Sequence, residues 1–128
     1  MMLLRDTHAL PWRANGSSAL SPHAARAIDD AGNRCVVSSA TAWELATKYR
    51  LGRLAEAERL LSAYAHTLAS MELEQLAISS EHALLAGSLD GQHGDPFDRI
   101  LAAQALIEGA VIVTKDPAFA QFGVVTLW

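Results

Sequence analysis

Two aspartates open an apolar, helix-forming stretch in the segment HGDPFDRILAAQA, residues 93–105. Asp95 before Pro96 is typical of a helix N-cap followed by the first helical residue. Asp98 then falls in the first turn, where an acid complements the helix dipole. Capping therefore explains each acid singly, but carboxylates placed so close together are also ligands for a hard cation such as Mg²⁺.

Other acids stand where predicted strands end or where helices begin. Asp6 directly follows the strand-like MMLLR, and Asp116 comes two residues after AVIVT, which is rich in β-branched residues. Glu44 lies early in a helix that follows the short apolar run CVV, and Thr41 three residues before it completes a capping-box pattern. Turn and capping roles thus remain open for each of these acids as well.

Strand-like and helix-like segments alternate along the whole chain, which predicts an α/β fold with a mainly parallel sheet of four to five strands. The carboxyl ends of parallel strands share one edge, so acids attached to those ends would meet there. They would repel one another unless a cation such as Mg²⁺ or Mn²⁺ lay between them. The pattern predicts strands at 1–5, 35–37, 73–78, 110–114 and 124–128, and helices over 22–31, about 40–51, 55–69, about 80–89 and 96–108.

Composition narrows the class of protein. The chain has 128 residues, of which 51% are apolar, and a net charge of −4, so an overall basic footprint for nucleic acid is absent. A single cysteine, no apolar run near the ~18 residues of a membrane span and no signal-like start predict a cytoplasmic protein. Phosphate-binding glycine motifs, a GxSxG elbow and zinc-type Cys/His spacing are also missing from the sequence.

Four stretches in order make the sequence similar to a known family. MLLRDTHAL, VSSATAWELATKYRLGRL, HGDPFDRILAAQAL and VIVTKDPAFAQFGVVTLW together resemble the PIN-domain ribonucleases, most closely the VapC-type toxins of bacterial toxin–antitoxin pairs. The resemblance implies one domain over residues 1–128 with a three-layer α/β/α sandwich. It also implies an Mg²⁺- or Mn²⁺-dependent endoribonuclease that cuts structured RNA such as tRNA or rRNA, a cognate antitoxin and a homodimer.

The resemblance also assigns roles to residues. Asp95 becomes an auxiliary acid, and the hydroxyls of Thr7 and Thr114 would orient Asp6 and Asp116 from behind. The four acids of the family motif, which would bind metal and carry catalysis, are matched by Asp6, Glu44, Asp98 and Asp116.

Several basic residues are candidate contacts for RNA phosphate. Lys48, Arg50 and Arg53 follow Glu44 on the same predicted helix or just after it, and Arg99 adjoins Asp98. A solvated helix face explains Arg50 and Arg53 equally well. Lys48 lies four residues beyond Glu44, so an ion pair between the two is an open alternative.

Five further residues either depart from the family pattern or have two possible roles. Arg5 stands where the family usually has an apolar residue, and it would either pair with a site acid or lie solvated at an edge. Pro11 falls where a helix would start, and Trp12 is a candidate partner contact. Trp43 is predicted to lie in the core rather than to stack on bases, and His93 is predicted to be a loop residue rather than a general base.

Together these features predict an RNA phosphodiesterase in which a metal-activated water is the nucleophile. One alternative is another metal-dependent phosphoesterase, acting on DNA or on small phosphates. A second alternative belongs to a different class: a non-catalytic partner of an antitoxin in an operator-binding complex.

Overall fold

The sheet of this protein is entirely parallel. The computed structural model describes residues 1–10 and 20–128, and within them five strands form one sheet in the order β3-β2-β1-β4-β5. All four pairings are parallel, which confirms the predicted sheet. The strands are β1 (Met2–Arg5), β2 (Arg34–Ser38), β3 (Glu74–Leu76), β4 (Val111–Val113) and β5 (Thr126–Leu127).

Helices cover both faces of the sheet, so the three-layer α/β/α arrangement is confirmed. The helices of the described residues are α1 (Pro22–Asp29), α2 (Ser39–Arg50), α3 (Glu58–Ser62), α4 (Tyr64–Ser70), α5 (Ser80–Ser88) and α6 (Pro96–Glu108). Helices α1 and α4 pack on one face, and α6 packs on the other, where α2 and α5 contact it. Short 3₁₀ turns occupy Thr7–Ala9, Ala55–Ala57 and Pro117–Phe122.

The central strand β1 is buried on both faces. Leu4 points into the cluster beneath α6, whereas Leu3 points into the cluster beneath α1, as strand alternation requires. Both side chains are fully buried, which is typical of a parallel sheet covered by helices on two sides. The residue that follows β1 therefore begins at the middle of the carboxyl edge.

Local capping sets the helix boundaries that matter for this edge. The carboxylate of Asp95 accepts hydrogen bonds from the backbone N–H groups of Phe97 and Asp98, and Pro96 is the first helical residue of α6. Gly109 ends α6 in the left-handed region at φ 67°, which suits a residue without Cβ. The predicted start and end of this helix are thus correct.

One predicted helix is wrong. The segment 55–69 was expected as a single helix, but a break at Ala63 (φ −140°, ψ 46°) divides it into α3 and α4. Helix α3 packs against α2, whereas α4 packs against β3. The break lets both Leu60 and Leu68 be buried, since one straight helix cannot follow two differently oriented neighbours.

None of the helices in the described part of the chain has the length and apolar character that a membrane crossing requires. Pro11 and Trp12, for which the sequence predicted an altered helix start and a partner contact, lie outside the described residues.

Candidate active site

Asp6 lies at the end of β1 and is held on both of its oxygens. Its Oδ1 accepts a hydrogen bond from the backbone N–H of Thr7 at 2.7 Å, and its Oδ2 accepts one from the Thr114 hydroxyl at 2.9 Å. The side chain is buried, and burial raises the pKa of this carboxyl, with the charge of Glu44 acting in the same direction. A fixed, buried carboxylate therefore marks the centre of the carboxyl edge.

Glu44 approaches this centre from α2 and is also buried. Its Oε1 accepts a hydrogen bond from the Thr7 hydroxyl at 2.6 Å, and its Oε2 pairs with Lys48 Nζ at 2.6 Å. Thr7 therefore orients Glu44 through its hydroxyl and Asp6 only through its backbone, which corrects the expected partner. The ion pair of Lys48 with Glu44, one of the two alternatives from the sequence, is present.

Asp98 enters from the first turn of α6. Burial raises the pKa of this carboxyl to about 6, and the charges of Asp95, Asp6 and Glu44 add to the rise. The sequence pattern predicted that Asp6, Glu44 and Asp98 would lie at one edge, and hydrogen bonds through Thr7 join the first two of them.

Asp116 adjoins Asp6 through a shared threonine. The Thr114 hydroxyl donates to Asp6 and accepts from the backbone N–H of Asp116 at 3.0 Å, so it orients the Asp6 carboxylate rather than that of Asp116. The Asp116 carboxylate itself caps the Pro117–Phe122 turn by accepting from the Ala118 N–H. Asp6 and Asp116 line one open cavity of about 460 Å³.

The donor chemistry of this region fits a hard divalent cation. Carboxylate oxygens are the ligands that Mg²⁺ and Mn²⁺ prefer, and Asp6 and Glu44 supply buried carboxylates at this edge. As the side chains stand, no three His, Cys, Asp or Glu residues among those described converge closely enough to hold an ion. Glu44 and Asp98 are instead engaged by Lys48 and His93.

Arg99 is occupied within the protein. Its guanidinium donates to the backbone carbonyls of Ala86, Leu89, Gly91 and His93. These bonds tie the end of α5 and the following loop to α6, so a contact with RNA phosphate would compete with them. Arg50 and Arg53, by contrast, are exposed at the end of α2 and beyond it.

Neither of the two predictions for Arg5 is correct. The side chain is buried, so it is not solvated, and it pairs with none of the site acids. Its Nη2 donates to the carbonyl of Ala9, and the side chain lines a cavity of about 460 Å³ beside Asp29 and Cys35. Since strand alternation sends it to the face of Leu3, it leaves the carboxylate region clear.

Trp43 was predicted to lie in the core, and that prediction is wrong. Its side chain is 56% exposed and meets the Phe97 ring edge-on, with centroids 4.7 Å apart. Position 43 falls on the outer side of α2, because the inner side is formed by Ala40, Thr41, Glu44 and Leu45. The exposed ring therefore packs over the start of α6, where Pro96 and Phe97 lie.

Sequence reasoning missed one residue of the site. His93 lies in the loop before α6, as expected, but its Nε2 is 2.7 Å from Asp98 Oδ2. The position of His93 in the sequence was a signal, because the residues just before a helix N-cap lie close to the first turn of that helix. Nothing in the spacing showed which way the ring would turn.

Comparisons with known proteins agree with this architecture. Residues 4–125 match the family described as the PIN domain. A structure of VapBC2 from Rickettsia felis bound to a DNA fragment from its promoter is similar, with 18% identity, 99% of this chain and 98% of that chain covered and a TM-score of 0.64. A structure of FitAB bound to an IR36 DNA fragment is similar with 16% identity, coverage of 99% and 94%, and a TM-score of 0.55. The chain matches none of the curated proteins with which it was compared.

Proposed function

The chain belongs to the PIN domain family, and on that premise we propose that it is a metal-dependent endoribonuclease, the toxin of a VapBC-type toxin–antitoxin pair. One observation carries the proposal. Asp6, Glu44 and Asp116 come from three separate elements and are joined through two threonines. Thr7 donates hydrogen bonds to both Asp6 and Glu44, and Thr114 donates to Asp6 and accepts from the backbone N–H of Asp116. Acids that served only as caps would not need to share one place.

Two kinds of side chain have roles at this edge: acids that would bind the metal ion and threonines that orient those acids. Asp6, Glu44 and Asp98, with Asp116 beside Asp6 and Asp95 as an auxiliary acid, would hold Mg²⁺ or Mn²⁺. When bound, such an ion lowers the pKa of a water molecule and offsets charge on the scissile phosphate. Thr7 and Thr114 fix the carboxylates before substrate arrives, which reduces the reorganisation needed during the reaction.

We expect the RNA backbone to be bound by the basic residues that follow Glu44 on α2 and just after it. Arg50 and Arg53 are exposed, and Lys48 is partly exposed beside Glu44. With a net charge of −4 the protein has no general attraction for RNA, so local cations and the bound metal would supply it. We expect cleavage products with 5′-phosphate and 3′-hydroxyl ends, and a structured substrate such as tRNA or rRNA.

Partners and location follow from the same proposal. We expect a cognate antitoxin that covers the acidic edge, and the similarity of this chain to the VapBC2 and FitAB structures supports such a partner. We also expect a homodimer that works in the cytoplasm, with residues 1–128 forming the single nuclease domain.

The test is cleavage by purified, antitoxin-free protein. RNA and DNA oligonucleotides of the same sequence are incubated with Mg²⁺, with Mn²⁺ or with EDTA, and the assay is repeated with Asp6→Asn and with the matched exposed control Asp30→Asn. We expect cleavage of RNA alone, its loss in EDTA and in Asp6→Asn, and full activity in Asp30→Asn.

Other outcomes separate the alternatives. Cleavage that persists in EDTA or in Asp6→Asn would contradict a metal-dependent mechanism at this edge. Cleavage of DNA would replace the endoribonuclease with another phosphoesterase. No cleavage of either polymer, together with binding of promoter DNA by the complex with its antitoxin, would favour the non-catalytic alternative.

A further inference from the structure

The loop that precedes α6 is fixed from two sides. The backbone N–H of His93 donates to Gln121 Oε1 at 3.0 Å, and its carbonyl accepts from Arg99 Nη1 at 3.1 Å. Gly91 adopts φ 133°, and a Cβ there would lie 2.9 Å from Gln121 Oε1 and 3.0 Å from Phe122 Cε1. A residue with a side chain could not take this position without a shift. The backbone of His93 is therefore held in place independently of its ring.

The ring of His93 reaches from this fixed backbone to a site acid. Its Nε2 lies 2.7 Å from Asp98 Oδ2, and its face lies near Phe122, with ring centroids 6.2 Å apart. The backbone of Asp98 is itself fixed, because its N–H donates to the Asp95 cap. Of the two Asp98 oxygens, Oδ2 is engaged by His93, and no residue in the described part of the chain donates a hydrogen bond to Oδ1.

From this geometry we infer that His93 is the positioning residue of Asp98. It holds Oδ2 through an Nε2–H donor and leaves Oδ1 to ligate a divalent cation. The inference rests on the proposed function, since it concerns the same metal site. It also links two parts of that site, because Gln121, which holds the loop, lies on the turn that begins just after Asp116.

The decisive comparison keeps the size of the side chain and changes only the donor. His93→Gln places an amide N–H where the Nε2 donor was, whereas His93→Met has a similar length and no donor. The exposed His23 of α1 provides the control, as His23→Met. Mn²⁺ affinity is measured by calorimetry without RNA, and circular dichroism in EDTA checks that each variant is folded.

We expect His93→Met to weaken Mn²⁺ binding by about 10–100-fold, as loss of a group that orients a ligand does. His93→Gln should bind Mn²⁺ within about threefold of the wild type, and His23→Met should be unchanged. The metal concentration for half-maximal cleavage should rise in His93→Met, while the rate at saturating Mn²⁺ recovers. A role in loop packing alone would not produce this split between affinity and rate.

Three results would overturn the inference. Wild-type Mn²⁺ affinity in folded His93→Met would leave the ring with a packing role, although the proposed function would stand. Equal weakening in folded His93→Met and His93→Gln would mean that the ring shape, not the donor, is required. Absence of Mn²⁺ binding by the wild type would remove the proposed function as well, and it is recognised without any variant. Should His93→Met be unfolded, His93→Ala takes its place.

Discussion

Arg5 and Asp6 are consecutive residues, and each is only 4% exposed, yet their surroundings differ completely. Both oxygens of Asp6 receive hydrogen bonds, from the Thr7 backbone and the Thr114 hydroxyl. Arg5 donates one hydrogen bond, to the Ala9 carbonyl, and its Nε has no partner among the described residues. One buried charge is therefore surrounded by matching groups, and its neighbour is not.

The difference shows that burial of a charge can have two different energetic consequences at adjacent positions. At Asp6 the hydrogen bonds from Thr7 and Thr114 fix the carboxylate in one orientation and offset part of the free energy lost when it is removed from water. At Arg5 the guanidinium is also removed from water, but a single hydrogen bond offsets little of that loss. Burial accordingly lowers the pKa of the guanidinium. Removal of the charge should therefore abolish cleavage at Asp6 and leave cleavage nearly unchanged at Arg5.

The largest effect is expected for Asp6→Asn. Asn retains an oxygen for the Thr7 N–H and a donor for Thr114, so the fold should be kept while metal binding is lost. Cleavage should fall by at least about 10³-fold, since several kcal/mol of metal-derived stabilisation would disappear. In EDTA the variant should unfold at a higher temperature than the wild type, because one of the mutually repelling charges is gone.

Thermal unfolding in EDTA and single-turnover cleavage measure the two halves of this prediction. A variant that loses activity but also melts well below the wild type would show that the Asp6 charge supports the fold, contrary to this prediction.

Thr114→Val should give the next largest effect. Val has the shape of Thr but no hydroxyl, so Asp6 Oδ2 loses its donor and the Asp116 N–H loses its acceptor. We expect cleavage to fall by about 10–100-fold, as for other groups that orient metal ligands. The free energy of unfolding should also drop, by about 1–3 kcal/mol, for polar groups left without partners.

The controls for this prediction are Thr114→Ser, which keeps the hydroxyl and should keep most of the activity, and Thr126→Val on the exposed part of β5. If Thr114→Val cleaves RNA at the wild-type rate, the hydroxyl is not what fixes Asp6.

Arg5→Met tests the other side of the comparison. Met has a similar reach and no charge, so the variant should raise the free energy of unfolding by about 1–2 kcal/mol, in the range seen when unsupported buried charges are replaced by apolar residues. Cleavage should stay within about threefold of the wild type, a change below 1 kcal/mol in barrier height. Urea unfolding measures the first value. A loss of more than about 1 kcal/mol would mean that the bond to Ala9 supports the turn.

Asp29→Asn should have the smallest effect. Asp29 is exposed on α1, and its charge favours the charged form of Arg5. Removing that charge should lower the free energy of unfolding by only about 0.2–0.5 kcal/mol, as for exposed charge pairs. In an Arg5→Met background the loss should vanish, which a double-mutant cycle measures. An equal loss in both backgrounds would show that Asp29 acts as a helix residue, not through Arg5.

The fold was largely predictable because its signals are local. The run AVIVT, the Asp95-Pro96 cap and Gly109 each indicated a strand or a helix end from neighbouring residues alone, and the parallel order followed from their alternation. The break at Ala63 was not predictable in this way, because it depends on α3 and α4 having different neighbours. Local periodicity carries no information on which element a helix will meet.

The candidate site was predictable in position but not in its contacts. Strand ends placed Asp6 and Asp116 at one edge, yet Thr7 turned out to hold Glu44, and His93 to hold Asp98. Such pairings depend on side-chain rotation and on groups far apart in the chain. The prediction for Trp43 was wrong for a related reason, since the hydrophobicity of one residue does not show which side of its helix faces the core.

The hydrogen bond between Thr114 and Asp6 joins residues 108 positions apart, and β1 lies between β2 and β4 in the sheet. Domains fold as their chains emerge from the ribosome, starting from the amino terminus. A growing polypeptide that lacks β4 cannot fix the Asp6 carboxylate or provide Asp116. The acidic edge can therefore be assembled only after the ribosome has made the segment that contains β4, Thr114 and Asp116, long after Asp6 itself has been made.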